Sequence, residues 1–142
     1  MHLRSIVLID LQTGLRKQEL LSLRWQNVHF ERDVIHVMNS RRERTKSDRS
    51  RSVPLTSIAR EELLALHKES GWSEYVFVNS KTFKPLTDVK KAFTSALRKA
   101  GIEDFHFHDL RHTCATRLGD RGASAFETSS RSSLPRWRTY RL

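Results

Sequence analysis

The chain has 142 residues, of which 37% are hydrophobic and 30% charged, values that are typical of one globular domain. Its single cysteine, Cys114, excludes an internal disulfide, and no apolar run approaches the ~20 residues that cross a bilayer. The 26 Lys and Arg exceed the 16 Asp and Glu by ten, which favours a polyanionic partner such as nucleic acid. Composition leaves one alternative open, a basic surface that only keeps the protein soluble.

The first part of the chain predicts two helices and a hairpin. Apolar residues predict a helix over residues 3–11, which Gly14 ends, and the spacing of Leu15, Leu20 and Leu23 predicts a second helix over 15–25. Alternation over residues 34–39 predicts a strand that is mostly buried on both faces. A charged stretch, SRRERTKSDRSRS, separates it from a second β-type segment, VPL, so the pair predicts a hairpin with a basic tip. A disordered basic loop is the alternative for the tip.

The second part predicts three more helices and a short strand. Thr56 or Ser57 caps a helix that Gly71 stops, and residues 75–78 form the strand. Thr87 opens the next helix, which Gly101 ends. Its apolar face consists of Val89, Phe93, Ala96, Leu97 and Ala100. The last helix runs over 109–121 and buries Leu110, Cys114 and Leu118. The fold class is therefore α+β, mainly helical with a small antiparallel sheet or hairpin.

After Gly122 the sequence changes character. ETSSRSSLPRWRTYRL contains Ser runs and a Pro and has almost no apolar periodicity, so it predicts a loose tail. The expected organisation is one domain over residues 1–122 and a divergent or disrupted tail over 123–142.

Three segments carry polar residues that a simple helical domain does not need. TGLRKQELLSLRW contains Arg16, TKSDRSRSVPL contains Lys46, and HFHDLRHTCATRL contains His108 and Arg111. Arg and Lys do not bind metal ions, so this set makes a poor metal site and a good anion site. A guanidinium fork matches two phosphate oxygens, and Lys or His can donate a proton to a leaving oxygen.

TGLRKQELLSLRW resembles the box that carries the first catalytic Arg of the tyrosine recombinase, or phage integrase, family, and HDLRHTCAT resembles its His-x-x-Arg box. A Lys hairpin closed by VPL lies between them, and the resemblance covers residues from about 3 to 122. It implies the family's catalytic domain fold, with Arg16 and Arg111 clamping the scissile phosphate. It further implies that Lys46 is the general acid, that His108 assists proton transfer or positions the phosphate, and that Glu19 has a structural role near Arg16.

The family's nucleophile is a tyrosine that forms a 3′-phosphotyrosyl bond, so the resemblance implies strand transfer without ATP, metal or cofactor. Tyr140 lies nine residues after Arg131, the spacing at which the family places its nucleophile after a His. However, the stretch from Gly122 to Arg131 is shorter than the family pattern, and Pro135 falls where a helix should form. Tyr140 is therefore either the nucleophile or a coincidental tyrosine, and one hypothesis is a frame disruption after about Phe126.

The site residues also have simpler interpretations. Arg16 could be a surface residue, and Lys46 could be a solvated residue or a non-specific phosphate contact among the neighbouring Arg residues. His108 could be a core histidine. His112 is expected to be one, and Trp25 is expected to be core rather than a base-stacking group. A zinc site formed by His106, His108, His112 and Cys114 is disfavoured because no second Cys/His pair has finger spacing.

The sequence thus predicts the DNA-binding, strand-transferring domain of a site-specific recombinase, impaired in this form. Its expected partners are double-stranded DNA and, on DNA, further copies of itself, in a cytoplasmic setting and with no membrane. The alternatives are a non-catalytic DNA-binding remnant of an integrase and a nucleic-acid-binding protein without recombinase ancestry.

Overall fold

A computed structural model describes residues 2–38 and 50–120, except for the side chains of residues 119 and 120. The described elements are α1 (Leu3–Thr13), α2 (Lys17–Leu21), a 3-10 turn (Trp25–Asn27), β1 (Val28–His29), β2 (Val34–Val37), β3 (Arg51–Pro54), α3 (Ser57–Ser70), α4 (Lys90–Ala100) and α5 (Phe107–Asp120). The predicted class is confirmed, because helices dominate and one three-stranded antiparallel sheet accompanies them.

Helix α1 is the central element, since it packs against both α3 and α5. Its residues Ile6 and Ile9 have no exposed surface and share the core with Leu63 of α3 and Ile35 of the sheet. Burial of each such side chain stabilises the fold by roughly 1.5–3 kcal/mol. Because α1 is held on two sides, its C-terminal end is a fixed platform for the segment that follows.

The sheet has the order β1-β2-β3, and both pairs are antiparallel. Ile35 pairs with Val53, and Val37 pairs with Arg51 at the end of the hairpin that leads to its tip. The predicted hairpin is thus confirmed in its two strands, and β1 is an addition that the sequence did not reveal. The tip, residues 39–49, lies outside the described residues and includes the predicted general acid Lys46.

Several predicted boundaries were wrong. The second helix covers only Lys17–Leu21, because Ser22 ends it and the chain reaches Trp25 in extended conformation. Residues 75–78 form isolated bridges, Arg24 with Tyr75 and Val78 with Pro85, instead of a strand.

Burial also differs from prediction at three places. β2 buries Ile35 and Val37 on one face only, since Val34 and His36 are half-buried. Helix α4 begins at Lys90 rather than at Thr87, and of its predicted apolar face only Phe93 and the N-cap residue Val89 are buried. Leu118 of α5 is half-buried, whereas Leu110 and Cys114 are buried as predicted.

No helix among residues 2–38 and 50–120 is long and apolar enough to cross a membrane. The division of the chain at residue 122 stays a prediction, because the described part ends at Asp120. Tyr140 and the rest of the predicted tail lie beyond it.

Candidate phosphate-binding site

The first site residue, Arg16, is placed by the turn between α1 and α2. Gly14 ends α1 in the left-handed conformation, at φ +61°, and its amide donates to the carbonyl of Asp10 at 2.8 Å. A side chain at this position would be strained, and its Cβ would lie 3.2 Å from Sγ of Cys114 on α5. Arg16 then caps α2 in extended conformation. The glycine therefore allows the chain to turn from α1 toward α2 close to α5.

Glu19 joins two arginines from different elements. Its carboxylate accepts the backbone N–H of Arg16 at 2.8 Å and Nη1 of Arg16 at 3.0 Å. It also accepts both ends of the Arg51 guanidinium, at 2.9 and 2.6 Å. This bidentate pair ties the start of β3 to the start of α2. The structural role expected for Glu19 is thus seen as direct contacts with Arg16.

Helix α5 carries the second predicted box, and a carboxylate also accepts a backbone N–H near its start. The carboxylate of Asp109 accepts the backbone N–H of His106 at 2.6 Å, as Glu19 does for Arg16. His108 lies in the first turn and is exposed, and its ring meets that of His112 edge to face at 4.6 Å. Arg111, one turn later, donates from Nη1 to the carbonyl of Gly14 at 2.7 Å. This bond places Arg111 against the turn that carries Arg16.

The charges of this cluster act on one another. The pKa of Arg111 is lowered first by burial and then by the positive charges of Arg16 and Arg51. Burial by itself would raise the pKa of Glu19, but hydrogen bonds from the Arg51 side chain and the Arg16 backbone outweigh it and hold this pKa below its usual range. Three guanidinium groups around one carboxylate leave a net positive charge, which suits an anion.

A second acidic residue lies behind the cluster. Asp10 is 1% exposed, and its Oδ1 has no hydrogen-bond partner within the described part of the chain. Burial raises the pKa of Asp10 to about 7, with the charge of Arg111 opposing the shift and that of Glu19 adding to it. The group is therefore poised between its neutral and charged forms near neutral pH.

The structure brings Arg16, His108 and Arg111 onto adjoining elements, while Lys46 and Tyr140 lie outside the described residues. Arg16 is exposed, with 60% of its side chain accessible, yet Glu19 holds it in place. His108 and His112 are both exposed, so the expectation that His112 belongs to the core was wrong. The first turns of α5 are stabilised by Leu110 and Cys114, and the two histidines project from the opposite side.

The structure also bears on two of the simpler interpretations. Within residues 2–38 and 50–120 no three His, Cys, Asp or Glu side chains are grouped to hold a metal ion. Trp25 packs against the core and donates from Nε1 to the carbonyl of Ser70 at 3.3 Å, as a core residue should.

Arg51 and Asp10 are members of the cluster that the sequence did not single out. Arg51 was visible only as one of many cations around Lys46, because its partner Glu19 is 32 residues away in the chain. Asp10 carried a signal that could have been used, since it is the one polar residue within the apolar run IVLIDL of residues 6–11.

The sequence profile of the phage integrase family matches residues 1–127. The chain belongs to the phage integrase family. The integrase of Salmonella phage P22 is 35% identical over 133 residues, an alignment that covers 84% of this chain and 33% of that protein. This integrase domain thus spans only 33% of the length of that relative.

Two solved structures resemble this integrase domain in fold. The Tn1549 transposon integrase in complex with a circular intermediate DNA gives a TM-score of 0.72 at 23% identity, covering 84% of this chain and 46% of that one. The lambda integrase tetramer bound to a Holliday junction gives 0.64 at 20% identity, covering 87% and 38%. At these identities the likeness shows the fold alone.

Proposed function

We propose that this domain binds double-stranded DNA and holds one backbone phosphate between Arg16 and Arg111, as the catalytic part of a site-specific tyrosine recombinase. The observation that carries the proposal is the meeting of the two motif arginines at one turn, where Arg111 donates to the carbonyl of Gly14 and Arg16 follows two residues later. Family membership and the net positive charge of the chain support the same partner.

The chemistry follows from the residue types. The two guanidinium groups would offset the charge on the non-bridging oxygens of the phosphate during transfer. His108, exposed in the first turn of α5, is free to position the phosphate or to assist proton transfer. Lys46 as the acid for the leaving oxygen and Tyr140 as the nucleophile stay predictions. A phosphotyrosyl intermediate would conserve the phosphodiester energy, so the proposed reaction requires neither ATP nor a metal ion.

Arg51 gives this site its connection to the hairpin. Because both of its guanidinium ends bind Glu19, the strand that leads out of the 39–49 tip is fixed beside Arg16. A general acid on that tip would be brought toward the same phosphate.

Self-association on DNA belongs to the proposal too, since the lambda integrase of similar fold is a tetramer on a Holliday junction. The proposal also includes a cytoplasmic location, where the Cys114 thiol would stay reduced.

The test is trapping of a covalent adduct on a nicked suicide duplex, followed by electrophoresis under denaturing conditions. A protein–DNA band that disappears in Tyr140→Phe is expected of the enzyme. Arg16→Ala and Arg111→Ala should reduce the band far more than they reduce duplex binding. DNA binding without any adduct at high protein concentration would instead identify a non-catalytic DNA-binding remnant, and equal losses of cleavage and binding would contradict the clamp.

A further inference from the structure

We propose that Asp10 is a positioning residue of the phosphate site: its carboxylate is the internal counter-charge of Arg111, and DNA binding replaces that charge by the phosphate while Asp10 takes up a proton from solvent. The inference rests on the proposed phosphate clamp and adds a residue that neither predicted box contains. It rests on the position of Asp10 beside the Gly14 turn and on the missing hydrogen-bond donor, among the described residues, to its carboxylate oxygen Oδ1.

The position of Asp10 is fixed by the same turn that places the clamp. It lies in the last turn of α1, and its backbone carbonyl binds the amide of Gly14. The carbonyl of Gly14 in turn accepts Nη1 of Arg111 at 2.7 Å. Asp10 and Arg111 are thus linked through one residue, on two helices that pack against each other.

The carboxylate lacks the partners that a buried charge requires. Only 1% of Asp10 is exposed, and in the described part of the chain no group donates to its Oδ1. Burial of an ionised carboxylate without hydrogen bonds costs several kcal/mol, so its charged form depends on the nearby guanidinium. An aspartate that served packing alone would be replaced by an apolar residue without that cost.

The charges around Asp10 come from each element packed there. Helix α5 contributes Arg111 and also Cys114, whose pKa is raised by burial and by the charge of Asp10. The α2 segment contributes Glu19, whose negative charge disfavours a second anion. Glu62 of helix α3 binds Arg4 and Ser5 near the other end of α1 and is thus engaged away from Asp10. Arg111 is therefore the one described cation that these interactions assign to Asp10.

A phosphate bound to Arg111 would compete with Asp10 for the same positive charge. Repulsion between the two anions would raise the pKa of Asp10 from its value of about 7 and draw in a proton. Linkage is reciprocal, so the ionised carboxylate must weaken phosphate binding by the same factor. Duplex affinity should then fall as pH rises through 7, by about sevenfold between pH 6 and pH 8.5 if the pKa shifts by about one unit.

The experiment measures affinity for a short duplex of arbitrary sequence at fixed salt from pH 6 to pH 8.5. The full chain is compared with Asp10→Asn, which keeps the side-chain shape, and with Asp33→Asn. The Asp33→Asn variant is a matched control, because it also removes one negative charge. Asp33 lies in the β1–β2 turn and is paired with Arg60. The fall of about sevenfold, beyond any histidine contribution, should vanish in Asp10→Asn and persist in Asp33→Asn. Identical profiles for all three proteins would overturn the inference.

A second measurement needs no variant that has to function. Carbon NMR of labelled aspartate carboxyl groups gives the titration midpoint of Asp10, assigned by its loss in Asp10→Asn. We expect a midpoint near neutral pH that rises when the duplex is bound, and a midpoint that DNA leaves unchanged would refute the role. Arg111→Ala separates the two proposals: unchanged DNA affinity would defeat the clamp. A loss of affinity together with a wild-type pH profile in Asp10→Asn would defeat only the role of Asp10.

Discussion

The bidentate pair between Glu19 and Arg51 should be one of the strongest polar interactions in this domain. Glu19→Gln keeps the shape of the side chain but leaves the Arg51 guanidinium without its counter-charge and weakens the acceptor for the Arg16 amide. The Glu19 side chain is 13% exposed and that of Arg51 is 29% exposed, so water compensates little of the loss.

The expected size follows from these contacts. Hydrogen bonds to charged groups contribute about 1.5–3 kcal/mol each, and the Arg16 guanidinium, which is 60% exposed, adds little. We therefore expect Glu19→Gln to lower the free energy of unfolding by roughly 2–3 kcal/mol. The coupling energy between positions 19 and 51 should be about 1.5 kcal/mol. In urea this loss moves the unfolding midpoint by about 1 M.

The assay is a double-mutant cycle by urea unfolding of the wild type, Glu19→Gln, Arg51→Gln and the double variant. Arg4 and Glu62 provide the control cycle, because their bond at 3.2 Å involves an Arg4 side chain that is 82% exposed. That coupling should stay below about 0.5 kcal/mol. Since Glu19 has a lowered pKa, its coupling to Arg51 is full at neutral pH and is lost as pH falls through that pKa. A coupling at Glu19 as small as the control would refute the reasoning.

Four further substitutions test the surroundings of the site. Gly14→Ala should cost about 1–2 kcal/mol in urea unfolding and weaken duplex binding, because φ is +61° and the new Cβ would crowd Cys114; unchanged stability would contradict the turn. On α5, Leu110→Ala should cost about 2–4 kcal/mol and His112→Ala less than about 0.5 kcal/mol in thermal denaturation, since only Leu110 is buried; equal losses would mean a rotated helix. Asp10 keeps a proton in the folded state up to about pH 7, whereas the unfolded chain releases it near pH 4. The free energy of unfolding of Asp10→Asn should therefore rise relative to wild type by on the order of 2–4 kcal/mol between pH 4 and pH 7. If denaturation curves at the two pH values give the same difference between variant and wild type, the raised pKa is contradicted.

Local patterns in the sequence predicted the parts of the fold that local physics determines. The apolar run of α1, the stop at Gly14 and the β-type alternation of β2 each act over a few residues, and the helix, its end and the strand were each recovered. The second helix was predicted too long because its leucines are buried by neighbouring elements rather than by a continuing helical face. Leu23, for example, is 4% exposed although the helix has already ended at Leu21.

The sequence pointed to those parts of the candidate site that lie in a local motif, as in the two boxes that contain Arg16 and Arg111. It did not reveal the long-range interactions of the candidate site. The sequence cannot show which of several basic residues pairs with Glu19, since the register of β3 selects Arg51 and turns it toward α2. The exposure of His112 could have been predicted, because at helical spacing this residue lies on the side of α5 opposite the apolar stripe of Leu110 and Cys114.

The salt dependence of duplex binding tests the central claim, that Arg16 and Arg111 together hold a DNA phosphate. Log affinity is measured against log salt for the wild type and for Arg16→Gln combined with Arg111→Gln. The control combines Arg4→Gln with Arg60→Gln, which removes the same charge from α1 and α3. We predict that the slope falls by about two in the site variant and changes little in the control. An unchanged slope in the site variant, or an equal fall in the control, would contradict the phosphate clamp.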